Sequence, residues 1–308
     1  MTGVLHADAG AEELATLRIT LFGVLLITFA RIPMRQLASL PGELVEPTGV
    51  MRLLPLESIL SSAGALWALQ AALVVGCLAC MLGTAGYRWI AVATVLLALF
   101  HDGALRSVAG FNIHVRLTLI YVVAVLAVAP AVDAYALRRR RRPPDGNGDV
   151  GLRYAGPMIL MALVVTVTYS LVGTRRLLEN GVSLFTSDTT TIWMVARSLQ
   201  PSEYDFTAGL LLIDRPWLGA LLTLGMLVTT LFELFSPLAL RSRPFRWIWV
   251  AAVLSFHVGV LVAMNISFKE NVVLVLLLFT PFTALVPRLV DRWASRQGKR
   301  RLPVRSRL

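Results

Sequence analysis

Charge is what this chain has least of. Only 15% of its 308 residues are Asp, Glu, Lys or Arg, against about a quarter in soluble domains. With 56% hydrophobic residues and a mean hydropathy of +0.71, so little charge excludes a water-soluble globule. Cysteine is nearly absent, and both Cys77 and Cys80 fall inside one apolar run. A C-x-x-C pair can be a redox couple or half a metal site, but zinc needs two further ligands and none is evident nearby. The pair reads as two small apolar residues one helical turn apart. Histidine is scarce, with four in all. No H-E-x-x-H, P-loop or G-x-S-x-G pattern occurs, so phosphoryl transfer, serine hydrolysis and a metal site have no support.

What the chain does contain is a series of apolar runs. About 20 residues cross roughly 30 Å of hydrocarbon, and eight runs approach that length: about 14–32, 58–82, 86–105, 114–137, 154–174, 217–240, 246–266 and 271–290. They predict an all-α, polytopic integral-membrane helical bundle of about eight transmembrane helices, or seven. Residues 1–308 read as one transmembrane domain, with no room for a second globular one. Asp8, Glu12 and Glu13 precede the first run where a signal peptide would be basic, and no A-x-A site follows. An uncleaved helix is expected, with Arg18 and Arg31 able to snorkel from it.

A net charge of +11 would suit nucleic acid, but its distribution points elsewhere. One set of alternate gaps holds Arg88, Arg138 to Arg142, Arg153, Arg241, Arg243, Arg246 and the tail from Arg288 to Arg307. The other set is near neutral, because Arg35, Arg52, Arg197, Arg215 and Lys269 are offset by acids such as Glu43, Glu57, Asp188, Asp214 and Glu270. By the positive-inside rule the first side is cytoplasmic, and so are both termini. The expected partner is the lipid bilayer of a cell (inner or plasma) membrane, whose anionic lipid meets this charge; nucleic acid is not expected, and no protein partner is indicated. The preference for arginine over lysine suits a GC-rich bacterial genome.

Three segments stand outside the runs: a basic cytoplasmic linker at 138–153, a long extracytoplasmic loop at 179–216, and a basic cytoplasmic tail at 291–308. Within the loop, Thr189 to Leu199 has the pattern of a short amphipathic helix, with Trp193 and Met194 toward lipid and Arg197 toward headgroups. A loop this long can be a functional lid or a packed plug.

Ionisable groups inside a membrane are costly and face cavities or each other. His257 lies near the middle of the seventh run, with Asn265 two turns later; it can exchange protons or hydrogen-bond a neighbouring helix. Glu233 falls in the inner half of the sixth run and must be protonated or paired. Arg175 and Arg176 close the fifth at its outer end. Adjacent helical residues diverge by about 100°, so only one points easily into the bundle, where it can clamp an anionic or carbonyl-bearing ligand. His101-Asp102 and Asn112-Ile-His114, with Arg116 behind, flank the gap between the third and fourth runs.

The order of these pieces resembles the HTTM family, the membrane domain shared with vitamin K-dependent gamma-carboxylase. Arg18-Ile-Thr-Leu-Phe-Gly23 is similar to its opening helix. Asn112-Ile-His114 and Ala129-Pro-Ala-Val-Asp-Ala134 resemble its fourth helix. Tyr169-Ser-Leu-Val-Gly-Thr-Arg-Arg-Leu177 resembles its tyrosine–glycine–basic-pair segment, Glu233 to Pro237 its acidic-then-proline helix, and Phe256-His257 its late histidine. In the carboxylase the basic pair is lysine-lysine and the second lysine is the catalytic base. Here Arg175 and Arg176 replace it, and arginine is a poor base. The large lumenal region that binds a protein substrate is also missing, so glutamate carboxylation is not expected. The resemblance implies an outward-facing cavity for a quinone-like or lipid ligand, lined by His114, His257 and Arg176. Two readings follow: a quinone-handling membrane oxidoreductase, with a quinone as cofactor or substrate, or a non-catalytic membrane protein that binds a lipid or supports a partner.

Overall fold

A computed structural model describes residues 5–6, 9–108, 116–137, 150–181, 183–186, 188–200, 204 and 206–289. Among them no strand occurs, and the only β-type pairing is an isolated antiparallel bridge between Val45 and Val108. Among the described residues, nine helices of ten or more residues carry the fold. They are α1 (Ala11–Arg31), α2 (Ala63–Leu82), α3 (Tyr87–Arg106), α4 (Leu117–Val128), α5 (Val150–Asn180), α6 (Thr189–Ser198), α7 (Trp217–Leu234), α8 (Arg243–Met264) and α9 (Lys269–Phe279).

Six of the described helical segments are long and apolar enough to cross a membrane. The expectation of eight differs at two places. The fourth run yields only the 12-residue α4, about 18 Å long, which stops before Pro130; its predicted start at 114 lies outside the described residues. The eighth is a broken pair, α9 and Phe282–Leu289, because Pro281 offers no N–H and pushes Thr280 out of helical geometry. Counting that pair as one crossing makes seven.

Helix α5 also starts earlier than predicted. Val150 to Arg153 were read as linker but form its first turn, since Arg153 is tied to Asp133 by a 2.8 Å salt bridge. The rest of the linker, from 138, and the tail at 291–308 lie outside the described residues.

The chain divides into two compact units. In the first, α1, α2 and α3 pack together with the end of α4 and the start of α5. Gln70 on α2 donates to the carbonyls of Phe29 and Ile32 at 2.8 and 2.7 Å, satisfying acceptors that the end of α1 leaves open. Tyr87 donates its hydroxyl to Leu126 O at 3.0 Å. Gly83 closes α2 in the left-handed region at φ 62°, a conformation glycine takes without a Cβ penalty.

The second unit gathers the later part of α5 with α6, α7, α8 and α9. Ser242 caps α8 by accepting from Phe245 N, with Pro244 in the first turn, as helix starts favour. The amphipathic helix predicted in the loop is α6, and Trp193 is exposed as expected. Met194 is not turned to lipid: it is buried with Leu212, Val260 and Met264, because packing against α8 removes more apolar surface from water than exposure would. Asn265, the C-cap of α8, holds Phe206 by both backbone groups at 2.7 and 2.6 Å, and Ser198 donates to Ala263 O. The 206–214 stretch and α6 thus lie packed against the end of α8.

Five exposed tryptophans, Trp67, Trp89, Trp193, Trp217 and Trp247, fall in the first five residues of α2, α3, α6, α7 and α8. Amphipathic rings at helix ends suit a membrane–water boundary.

Candidate functional site

The site grows from one face of α5. Tyr169, Gly173 and Arg176 are spaced i, i+4, i+7, which stacks them on one stripe. At Gly173 helix α7 comes so near that a Cβ would stand 3.0 Å from Glu233 Cβ, 3.1 Å from Leu234 N and 3.2 Å from Thr230 O. Ser170 donates to Leu234 O at 3.1 Å, and Ser236 donates to Thr166 O at 2.6 Å. Small residues and hydroxyls therefore clamp the two backbones together, as helix pairs in apolar surroundings commonly do.

That approach sets Glu233 under Arg176. Nη1 lies 2.7 Å from Oε2, Nη2 donates to Oε1 at 3.3 Å, and Nη1 also reaches Thr230 Oγ1 at 3.1 Å. Phe256 covers the guanidinium at 5.7 Å. Glu233 is buried, so its charge needs this partner. The sequence had placed Glu233 and Arg176 toward opposite faces of the layer, and the salt bridge brings them to one level. The reason is that the turn and short helix Leu238–Arg241 prolong α7. They leave Glu233 about 12 Å short of Arg241 along a helical rise. Arg175 points away, exposed and paired with Glu179 at 2.6 Å, so one arginine of the pair enters the unit and the other does not.

The second element of the site is a phenol–imidazole pair. Tyr169 Oη and His257 Nε2 are 2.7 Å apart and buried. Trp249 meets Tyr169 edge-on at 5.5 Å, while Phe268 stacks on the His257 ring at 5.0 Å. Phe256 lies against both His257 and Arg176, which joins the two pairs. His257 Nδ1 and Trp249 Nε1 are buried with no hydrogen-bond partner among the described residues. Buried polar atoms are nearly always bonded, so two orphans flanking one tyrosine mark a place that can accept a ligand's polar atoms.

The remaining candidates lie elsewhere. His101 and Asp102 are buried in the first unit, with His101 against Phe29 at 4.9 Å and Asp102 bridged to Arg106 at 2.9 Å. Asp102 thus has a cation one turn away. Asn112 and His114 lie outside the described residues. Asn265 serves the Phe206 clamp. Thr230 and Trp249 are not among the candidates that the sequence offers, and Tyr169 is there only inside a motif. The Tyr169–Gly173–Arg176 spacing was the available signal; Trp249 carried none that separates it from any apolar helix residue.

Set beside known protein families, characterised proteins and solved structures, the chain shows no match.

Proposed function

We propose that this is an integral membrane protein of the HTTM kind, in a cell membrane with both termini cytoplasmic, and that the second unit handles a quinone-like ligand. The observation that carries the reading is the buried Tyr169–His257 pair with unpartnered His257 Nδ1 and Trp249 Nε1 beside it. Arg176 polarises a ligand oxygen, and the phenol–imidazole pair takes up or supplies a proton at that oxygen. Arg176 itself is not the base.

A direct test is mass spectrometry of small molecules extracted from gently purified protein, compared with Arg176→Gln and His257→Ala. A stoichiometric quinone or isoprenoid lipid lost in the variants is expected. An empty wild-type protein overturns the reading.

One observation favours a second reading, a non-catalytic protein that binds a lipid or supports a partner. Glu233 and Thr230 already engage Arg176, as in a structural ion pair. A retained lipid without redox turnover in wild type would select it.

A further inference from the structure

We propose that the first unit carries a separate binding site for a net-anionic, phosphate-bearing group, in the cavity where the end of α2 meets the start of α3. The cavity has a volume of about 400 Å³ and is bounded by Gly83 to Trp89, by Ala129, Pro130, Val132 and Asp133, and by Arg153. That size suits a small ligand or a lipid headgroup.

Three features give it positive character. Behind its wall sits Arg18, fully buried, whose Nη2 donates to Tyr135 O at 2.5 Å while Nε and Nη1 have no hydrogen-bond partner among the described residues. Nη1 lies so close to Gly83, which lines the cavity, that a Cβ there would collide with it. A buried charge without a counter-charge is costly, and among the described residues no carboxylate is seen on Arg18. Second, the 20-residue α3 begins at Tyr87 after Gly86, which supplies no side-chain cap. Its positive dipole end therefore faces the same space, with Tyr87 N and Trp89 N already donating to Thr84 O and Gly86 O. Third, Arg88 and Arg153 line the cavity against a single acid, Asp133. Asp133 is engaged by Arg153 at 2.8 Å and by the Tyr154 hydroxyl at 2.9 Å.

Phosphate fits this better than carboxylate because it offers several acceptors to divergent donors. The exposed Trp89 at the rim is a boundary residue, which favours a phospholipid headgroup over free phosphate.

The test uses the full chain in neutral detergent, following its unfolding midpoint with added phosphatidylglycerol, phosphatidylcholine or inorganic phosphate. Phosphatidylglycerol should raise the midpoint by about 3 °C or more, and phosphatidylcholine should not. Arg18→Met should abolish the rise, Asp133→Asn should enlarge it, and Arg241→Gln with Arg243→Gln should leave it intact. A rise with inorganic phosphate alone supports the same site with a soluble ligand. Equal effects of the two lipids, or loss of the rise in the Arg241/Arg243 variant, overturn the proposal. If Arg18→Met does not fold, Asp133→Asn decides, and an unchanged rise there overturns it too.

Discussion

At the scale of single residues, the chain places few charges in apolar surroundings, and the Arg176–Glu233 pair is one that it neutralises there. Glu233 is nearly sealed, and its salt bridge to Arg176 spans 2.7 Å. Removing one partner of a buried pair leaves an uncompensated charge that costs about 3 kcal/mol or more, whereas removing both costs less. Arg176→Gln should therefore lower the unfolding midpoint more than the double change Arg176→Gln/Glu233→Gln, measured by tryptophan fluorescence in detergent. Equal losses would mean that the pair is not coupled.

His6 gives a pH dependence at the same scale. Burial depresses its pKa below 6.5, a bond to Leu278 O works in the opposite direction, and Arg246 depresses it further. A folded-state pKa below the unfolded one means that the unfolded chain binds the proton first. The contribution to stability is complete above pH 6.5 and is lost as pH falls from there through the folded-state value. Midpoints at pH 7.5 and 5.5 (about one unit either side of the ordinary histidine value) should differ more for wild type than for His6→Gln.

At the scale of elements, the α5–α7 crossing decides the site. Its closest point is Gly173, where two of the three nearest atoms are backbone and cannot swing aside. Gly173→Val should cost about 2 kcal/mol or more through overpacking, and Gly173→Ala should cost less. Melting of the two variants checks the order, and a neutral valine would mean that the helices do not meet as described. The Tyr169–Gly173–Arg176 stripe was legible in the sequence, because spacing alone puts those residues on one face. Its partner was not: nothing in the run from Trp217 to Leu234 announces which helix it packs on. The inward turn of Met194 was likewise hidden, since a methionine beside an exposed tryptophan fits lipid or core equally well until α8 is in place.

For the whole molecule, the alternating arginines define an orientation that can be measured. Both native cysteines are buried, so single cysteines introduced at exposed positions should report against a low background. In intact cells an impermeant maleimide should label Arg215→Cys, and should reach Arg88→Cys and Arg241→Cys only after permeabilisation. The reverse pattern would invert the orientation, and labelling at all three would contradict a membrane-spanning arrangement.

Composition by itself determined the solvent and the class: a chain with so few charges and such long apolar runs must satisfy its backbone internally, and helices do so within one segment. It also determined the distribution of charge, since arginine position is a property of the chain and needs no packing. The number of full crossings was decided elsewhere, by Pro281 and by the short reach of α4. Tertiary structure alone decided which ionisable groups share a site. Arg176 meets Glu233 and Tyr169 meets His257 across 57 and 88 residues of chain, and Arg18 comes to rest behind Gly83. Those meetings depend on how helix faces pack in three dimensions, and periodicity within a single helix carries no record of its neighbour.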